Sequence, residues 1–146
     1  MNTQDKELFE LCREVYERTG WGDTPDYVEE RFVDGKLVAT DVCENVGYEE
    51  DNEVFGGVQR KHFPLYTSDY LLEKLVPFKT EAMGSRGDMM PVNAFVFVRR
   101  ESGNEYRAGY RYNLNGSKYS NGIYADTPLK ALLKLTIALH EAGELK

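Results

Sequence analysis

The C-terminal run YRAGYRYNLNGSKYSNGIYADTPLKALLKLTIALHEA (residues 106–142) constrains the fold of this chain more than any other stretch. Its first part alternates. Tyr106, Ala108, Tyr110, Tyr112 and Leu114 fall on one side of an extended chain, and Arg107, Gly109, Arg111 and Asn113 on the other. Asn115-Gly116 is a tight-hairpin dipeptide, because both turn positions want positive φ, and a further strand is expected over 119–125. The period then changes from 2 to 3.6. Asp126 or Thr127 caps a helix, and Pro128 takes the first helical position, where a missing N–H costs nothing. Leu129, Leu132, Leu133, Ile137 and His140 form a stripe that Ala131, Leu135, Ala138, Leu139 and Ala142 widen, with Lys130, Lys134 and Glu141 marking the wet side. So wide an arc predicts packing on a sheet and also on another helix or a second copy. The expectation is therefore a homo-oligomer through the C-terminal helix.

The segments upstream extend this pattern. Leu8, Leu11, Cys12, Val15, Tyr16 and Thr19 predict an amphipathic helix over about residues 4–18 that Gly20 terminates. Asp34-Gly35 between β-rich runs predicts a hairpin of 27–33 with 36–42, with a short helix at 25–32 opened by Thr24-Pro25 as the competing reading. Residues 43–65, charged and carrying Gly56-Gly57, read as an exposed acidic loop, with a short strand near Glu53 to Val58 as a further reading. Thr67 or Ser68 caps a second helix that Pro77 stops. Residues 79–92 read as a short strand running into a loop, and NAFVFVRR (93–100), apolar on both faces, reads as a central strand. The whole is an α+β fold in one domain, 1–146. Its antiparallel sheet, made of a three-strand meander plus the N-terminal hairpin, packs between helices in α/β/α layers.

Charge narrows the partners. The net charge is −7, but residues 1–57 hold 16 acidic and 5 basic side chains, while 58–146 hold 9 and 13. Overall acidity argues against direct DNA binding, which depends on phosphate neutralisation. The front half offers a carboxylate surface for a basic protein partner through Glu29, Glu30, Asp34, Glu44, Glu49, Glu50, Asp51 and Glu53. No apolar run approaches the roughly 18 residues of a membrane span, and the N-terminal stretch lacks the apolar centre of a signal peptide. With two cysteines, Cys12 on an apolar helix face and Cys43, the expectation is free thiols in the cytoplasm.

No catalytic or metal-binding spacing is present. His62 reads as an exposed loop residue, and His140 as a charge near a helix C-terminus. No cofactor motif occurs, so no cofactor is expected. The one local pattern that suggests a ligand is aromatic and basic together: Arg99, Tyr106, Arg107, Tyr110, Arg111, Tyr112, Asn113 and Tyr124. Guanidinium forks recognise phosphates and carboxylates, and Tyr rings stack on bases. These residues are the candidates for holding a nucleotide-like small molecule.

YTSDYLLEKL (66–75) resembles the helix start of small bacteriophage proteins with an "ABA sandwich" domain, and IYADTPLKALLKLTIALHEAG (123–143) resembles their closing turn and helix. The resemblance covers roughly 64–143. It implies a phage-encoded, α/β/α-layered accessory protein and no catalytic residues. The expected function is non-enzymatic: binding and modulating or inhibiting a host factor, such as a defence system, in the host cytoplasm. The alternatives are a small nucleotide- or metabolite-acting enzyme, or a virion or assembly component.

Overall fold

The computed structural model describes residues 6–44, 54–55, 57–75, 78–84, 86–114 and 116–143. Where the sequence suggests one domain, the chain divides into two compact units, Met1–Tyr66 and Thr67–Lys146.

The first unit is a helix on a sheet. Helix α1 (Lys6–Thr19) buries Cys12 and Val15, and Gly20 leaves it at φ 72°. Strands β1 (Asp26–Val33) and β2 (Lys36–Glu44) form the expected hairpin; Asp34 and Gly35 both take positive φ, 52° and 79°. The charged segment 43–65 departs from expectation. Its last part is a strand, β4 (Val58–Leu65), that pairs along the whole of β1 and buries His62, Phe63 and Pro64. Among the described residues only β3 (Val54–Phe55) flanks it beyond, so the sheet order is β2-β1-β4-β3. Pro64 is tolerated because that part of β4 has a ladder partner, β1, on one edge alone among the described residues. Residues 45–53 lie outside the described residues. At the opposite edge, β2 exposes Leu37, Val38 and Val42, with Val38 60% exposed.

The side chains of β1 alternate between two environments. Val28, Glu30 and Phe32 face α1, where Arg13 forms an ion pair with Glu30 and lies over the Phe63 ring, 5.0 Å from its centroid. Tyr27, Glu29 and Arg31 face the other way. The Tyr66 hydroxyl donates to the Trp21 carbonyl at 2.5 Å and pins the turn after α1.

Cys12 is fully buried and both cysteines are free. Burial pushes the Cys12 thiol up to about 11 from an ordinary 9.0, against a smaller opposite pull from the Tyr66 backbone. The folded state therefore binds this proton more tightly than the unfolded chain. Its contribution to stability is complete below pH 9 and is lost as pH rises from 9 to about 11. Urea unfolding should show a slope approaching about 1.4 kcal/mol per pH unit across that window, and Cys12→Ala should flatten it. Equal slopes in the two proteins would count against a buried thiol.

The second unit holds a five-stranded antiparallel sheet and two helices. Helix α2 (Ser68–Lys74) starts at Thr67, whose hydroxyl accepts from the Tyr70 amide at 3.1 Å. Strand β5 (Phe78–Met83) pairs with the long β6 (Met89–Ser102), which begins inside the expected 79–92 loop. Strand β7 (Glu105–Asn113) follows. The expected third strand of the meander is broken in two: β8 (Ser117–Tyr119) pairs one end of β7 and β9 (Ile123–Ala125) the other. Between them Ser120 stands in for the ladder, its hydroxyl accepting from the Tyr110 amide at 2.9 Å. Helix α3 (Pro128–Glu141) is capped by Thr127 and closed by Gly143, as its sequence predicts. It packs on β6, β7, β9 and α2.

The α+β class and antiparallel pairing are those expected, but the hairpin and the meander lie in two sheets rather than one. Part of the wide apolar arc of α3 is covered within the chain: Ala131, Leu132, Leu133, Leu135 and Leu139 are buried, Leu129, Ile137 and Ala138 are half-buried, and Ala142 is exposed. Lys130, expected on the wet side, is also buried, with its ammonium 3.2 Å from Asp126 one turn back.

Candidate functional site

Register sorts the aromatic and basic residues of the second unit onto two faces. Across β6 and β7, Phe95 pairs with Arg111, Phe97 with Gly109 and Arg99 with Arg107. Tyr124 on β9 sits opposite Arg107, and Tyr119 on β8 opposite Arg111. Directly paired residues point the same way, so these side chains share one face. The other face carries Val96 with Tyr110, Val98 with Ala108 and Arg100 with Tyr106. Ala94 and Ala108, both fully buried, mark it as the side on which α3 packs.

The eight residues expected to hold a ligand are therefore divided. Arg99, Arg107, Arg111, Asn113 and Tyr124 come together on the open face. Tyr106, Tyr110 and Tyr112 go to the helix side, where the Tyr110 and Tyr112 rings stand 6.4 Å apart. Phe95, Phe97 and Tyr119 join the open face without having been expected there. The signal was in the sequence, since Phe95 and Phe97 are in phase with Arg99 along NAFVFVRR.

The open face is built as stacked cations and rings. The Arg99 and Arg107 guanidinium carbons lie 5.7 and 5.4 Å from the Phe97 centroid, and that of Arg111 lies 5.7 Å from the Phe95 centroid. Tyr119 meets Phe97 edge-on at 5.8 Å. Glu101 takes part of the positive charge: one carboxylate oxygen lies 2.9 Å from Arg107 Nε and 3.4 Å from Arg99 Nη2. The contact at Arg107 is an ion pair without an aligned hydrogen bond. Arg111 has no carboxylate partner among the described residues. Phe95, Tyr119 and Tyr124 are exposed.

Two missing Cβ atoms shape this face. Ser120 Oγ and the Phe97 ring lie 2.9 and 3.2 Å from where a Cβ on Gly109 would sit. At Gly122 the Arg107 stem passes through the space itself, its Cγ 2.1 Å from the ideal Cβ position. Arg107 is held down, at 17% side-chain exposure, and serves as structure. Arg99 and Arg111 are the cations open to a ligand.

No protein-family model, curated protein or solved structure gives a significant match to the chain.

The acidic candidates of the first unit are dispersed. Glu29 and Glu30, adjacent in β1, point to opposite faces. The Glu29 carboxylate is 3.0 Å from His62 Nε2 and 3.8 Å from Arg31 Nε, while Arg31 also bonds Asp41 at 2.9 Å. Glu30 is buried against Arg13. His62, expected in an exposed loop, is buried beside Glu29 because residues 58–65 form a strand. Asp34 is exposed in the hairpin turn and Glu44 at the end of β2. Glu49, Glu50, Asp51 and Glu53 lie outside the described residues. Among the described residues no group of three or more His, Cys, Asp or Glu could hold a metal ion, and no helix is long and apolar enough to cross a membrane.

Proposed function

We propose that the protein is a non-catalytic binding protein whose ligand, a nucleotide-like anion, lies on the open face of the five-stranded sheet. The observation that carries this reading is the register of β6 and β7, which aligns three Arg side chains with the exposed or half-exposed rings of Phe95, Phe97, Tyr119 and Tyr124. Arg111 and Arg99 would take phosphate or carboxylate oxygens, and the rings would take the base. The resemblance of residues 64–143 to phage domains supports a phage-type accessory role: modulating or inhibiting a host factor in the cytoplasm by sequestering such a ligand. The acidic strands support a protein-docking role less well, because Glu29 and Glu30 are committed to partners within the unit.

Arg111 is the cleaner test residue, because removing Arg107 would also disturb packing. Calorimetric titration with a series of mono- and dinucleotides should find a binder. Arg111→Ala should weaken it at least about tenfold, the worth of one charge-assisted contact, while shifting Tm by no more than about 2 °C, as expected of an exposed side chain. Nucleotide affinity unchanged in both Arg111→Ala and Arg99→Ala would sink the proposal.

A further inference from the structure

The first unit has a cleft of about 700 Å³ between α1 and its sheet, within the range of small-molecule sites. The ladder accounts for its floor. Glu30 pairs directly with Lys61, and Phe32 with Gln59 and Leu37, so all five side chains project toward α1 beside Phe63. The helix adds Arg13, Tyr16 and Glu17 as the opposite wall.

The charges in this cleft are arranged unevenly. Glu30 stands directly across the ladder from Lys61, yet its buried carboxylate is taken by Arg13. The Lys61 ammonium turns instead to the Phe32 ring, 5.2 Å from its centroid, and has no carboxylate partner among the described residues. The three groups together carry a net +1, with Lys61 over the Phe32 ring and Arg13 over the Phe63 ring. Glu17, the remaining acid of the cleft, is exposed, so its charge is screened by water. A buried ion pair here gives little stability that two apolar side chains would not give. What Arg13 and Glu30 do is leave Lys61 unneutralised beside the Phe32 ring.

We propose that this cleft binds a small molecule made of a planar ring and one anionic group. The anion lies on Lys61, the ring lies against Phe32 and Leu37, and the Gln59 amide offers a donor and an acceptor to the ring edge. This site is separate from the open sheet face and does not depend on the function proposed for it.

The test is residue-resolved NMR titration of the full chain with two probes, AMP and indole-3-acetate, and their neutral counterparts, adenosine and indole-3-ethanol. At least one anionic probe should shift the Phe32, Phe63 and Lys61 signals and bind about fivefold or more tightly than its neutral counterpart. Lys61→Ala should remove that margin and Lys61→Arg should keep it; Lys61 is exposed, so neither change threatens the fold. A response to AMP alone assigns a phosphate ligand, to indole-3-acetate alone a carboxylate ligand, and to both the shared class. The inference is overturned if neither probe moves the cleft signals at millimolar concentration, if the neutral counterparts bind equally well, or if Lys61→Ala binds as the parent does. AMP shifts confined to Phe95, Phe97 and Tyr119, with no cleft response to indole-3-acetate, would overturn this inference while leaving the open-face proposal standing.

Discussion

Arg13→Ala is expected to cost about 2–3 kcal/mol of stability, read as a lower urea midpoint at unchanged m-value. The loss comes from what remains. The Glu30 side chain is only 9% exposed, and without Arg13 its carboxylate would stay buried with its nearest counter-charge gone. The figure lies below the upper range for broken buried pairs for two reasons. Arg13 itself is 37% exposed, and Lys61, across the ladder, can swing from Phe32 toward Glu30. That second point has its own check: Arg13→Ala together with Lys61→Ala should destabilise by more than the sum of the single changes. Replacing the acid is predicted to be far milder. Glu30→Leu keeps the volume and removes the buried charge, so it should be near neutral although it breaks the same pair. If Arg13→Ala shifted stability by less than about 0.5 kcal/mol, the Glu30 carboxylate would not depend on Arg13 for its counter-charge.

Gly122→Ala is expected to cost about 1–3 kcal/mol and to disable the open face of the other sheet. The new methyl would need the space of the Arg107 stem, whose Cγ and Cδ lie 2.1 and 2.4 Å from the ideal Cβ position. The contact is with the middle of the side chain rather than its flexible end, so Arg107 must leave its place. Its ion pair with Glu101 and its stacking on Phe97 would be lost together. Glu101 would then be free to draw more strongly on Arg99, and ligand affinity should fall although no ligand-facing residue has changed. In an Arg107→Ala background the same glycine change should cost much less, because the two closest atoms are gone and the Ala108 carbonyl, the next, stands at 3.2 Å. Full additivity of the two changes would show that the glycine is needed for some other reason.

The parts of the fold legible in the sequence are those governed by neighbouring residues. Asp34-Gly35 specified its turn because both residues take positive φ, and Thr127-Pro128 specified a helix start because a hydroxyl and a missing N–H solve the same end problem. Strand β4 was hidden because Gln59, Arg60 and Lys61 look like loop chemistry. Their strand character comes from pairing with β1, some 30 positions earlier, which no local pattern records. The burial of Glu30 was illegible for the same reason, since its partner lies 17 residues away on a helix. At the candidate site, alternation assigned Arg107 and Arg111 to one face correctly. It also placed Tyr106 and Tyr110 on the opposite face, but it could not reveal which of the two faces α3 would cover, and so that the face of the guanidiniums is the open one.

Strand β2 has a practical consequence for any effort to work with this protein at high concentration. It is the outermost strand of its sheet among the described residues, with exposed Leu37, Val38 and Val42 upon it. Such an edge invites another chain to add a strand and seed precipitation. Its deterrents are Lys36, Asp41 and Glu44, charges spaced along the same strand. Neutralising them to probe the acidic surface would remove gatekeepers and carboxylates together, confusing lost binding with lost solubility. Reversing their sign keeps the edge repellent while changing what it attracts, and is the sounder design.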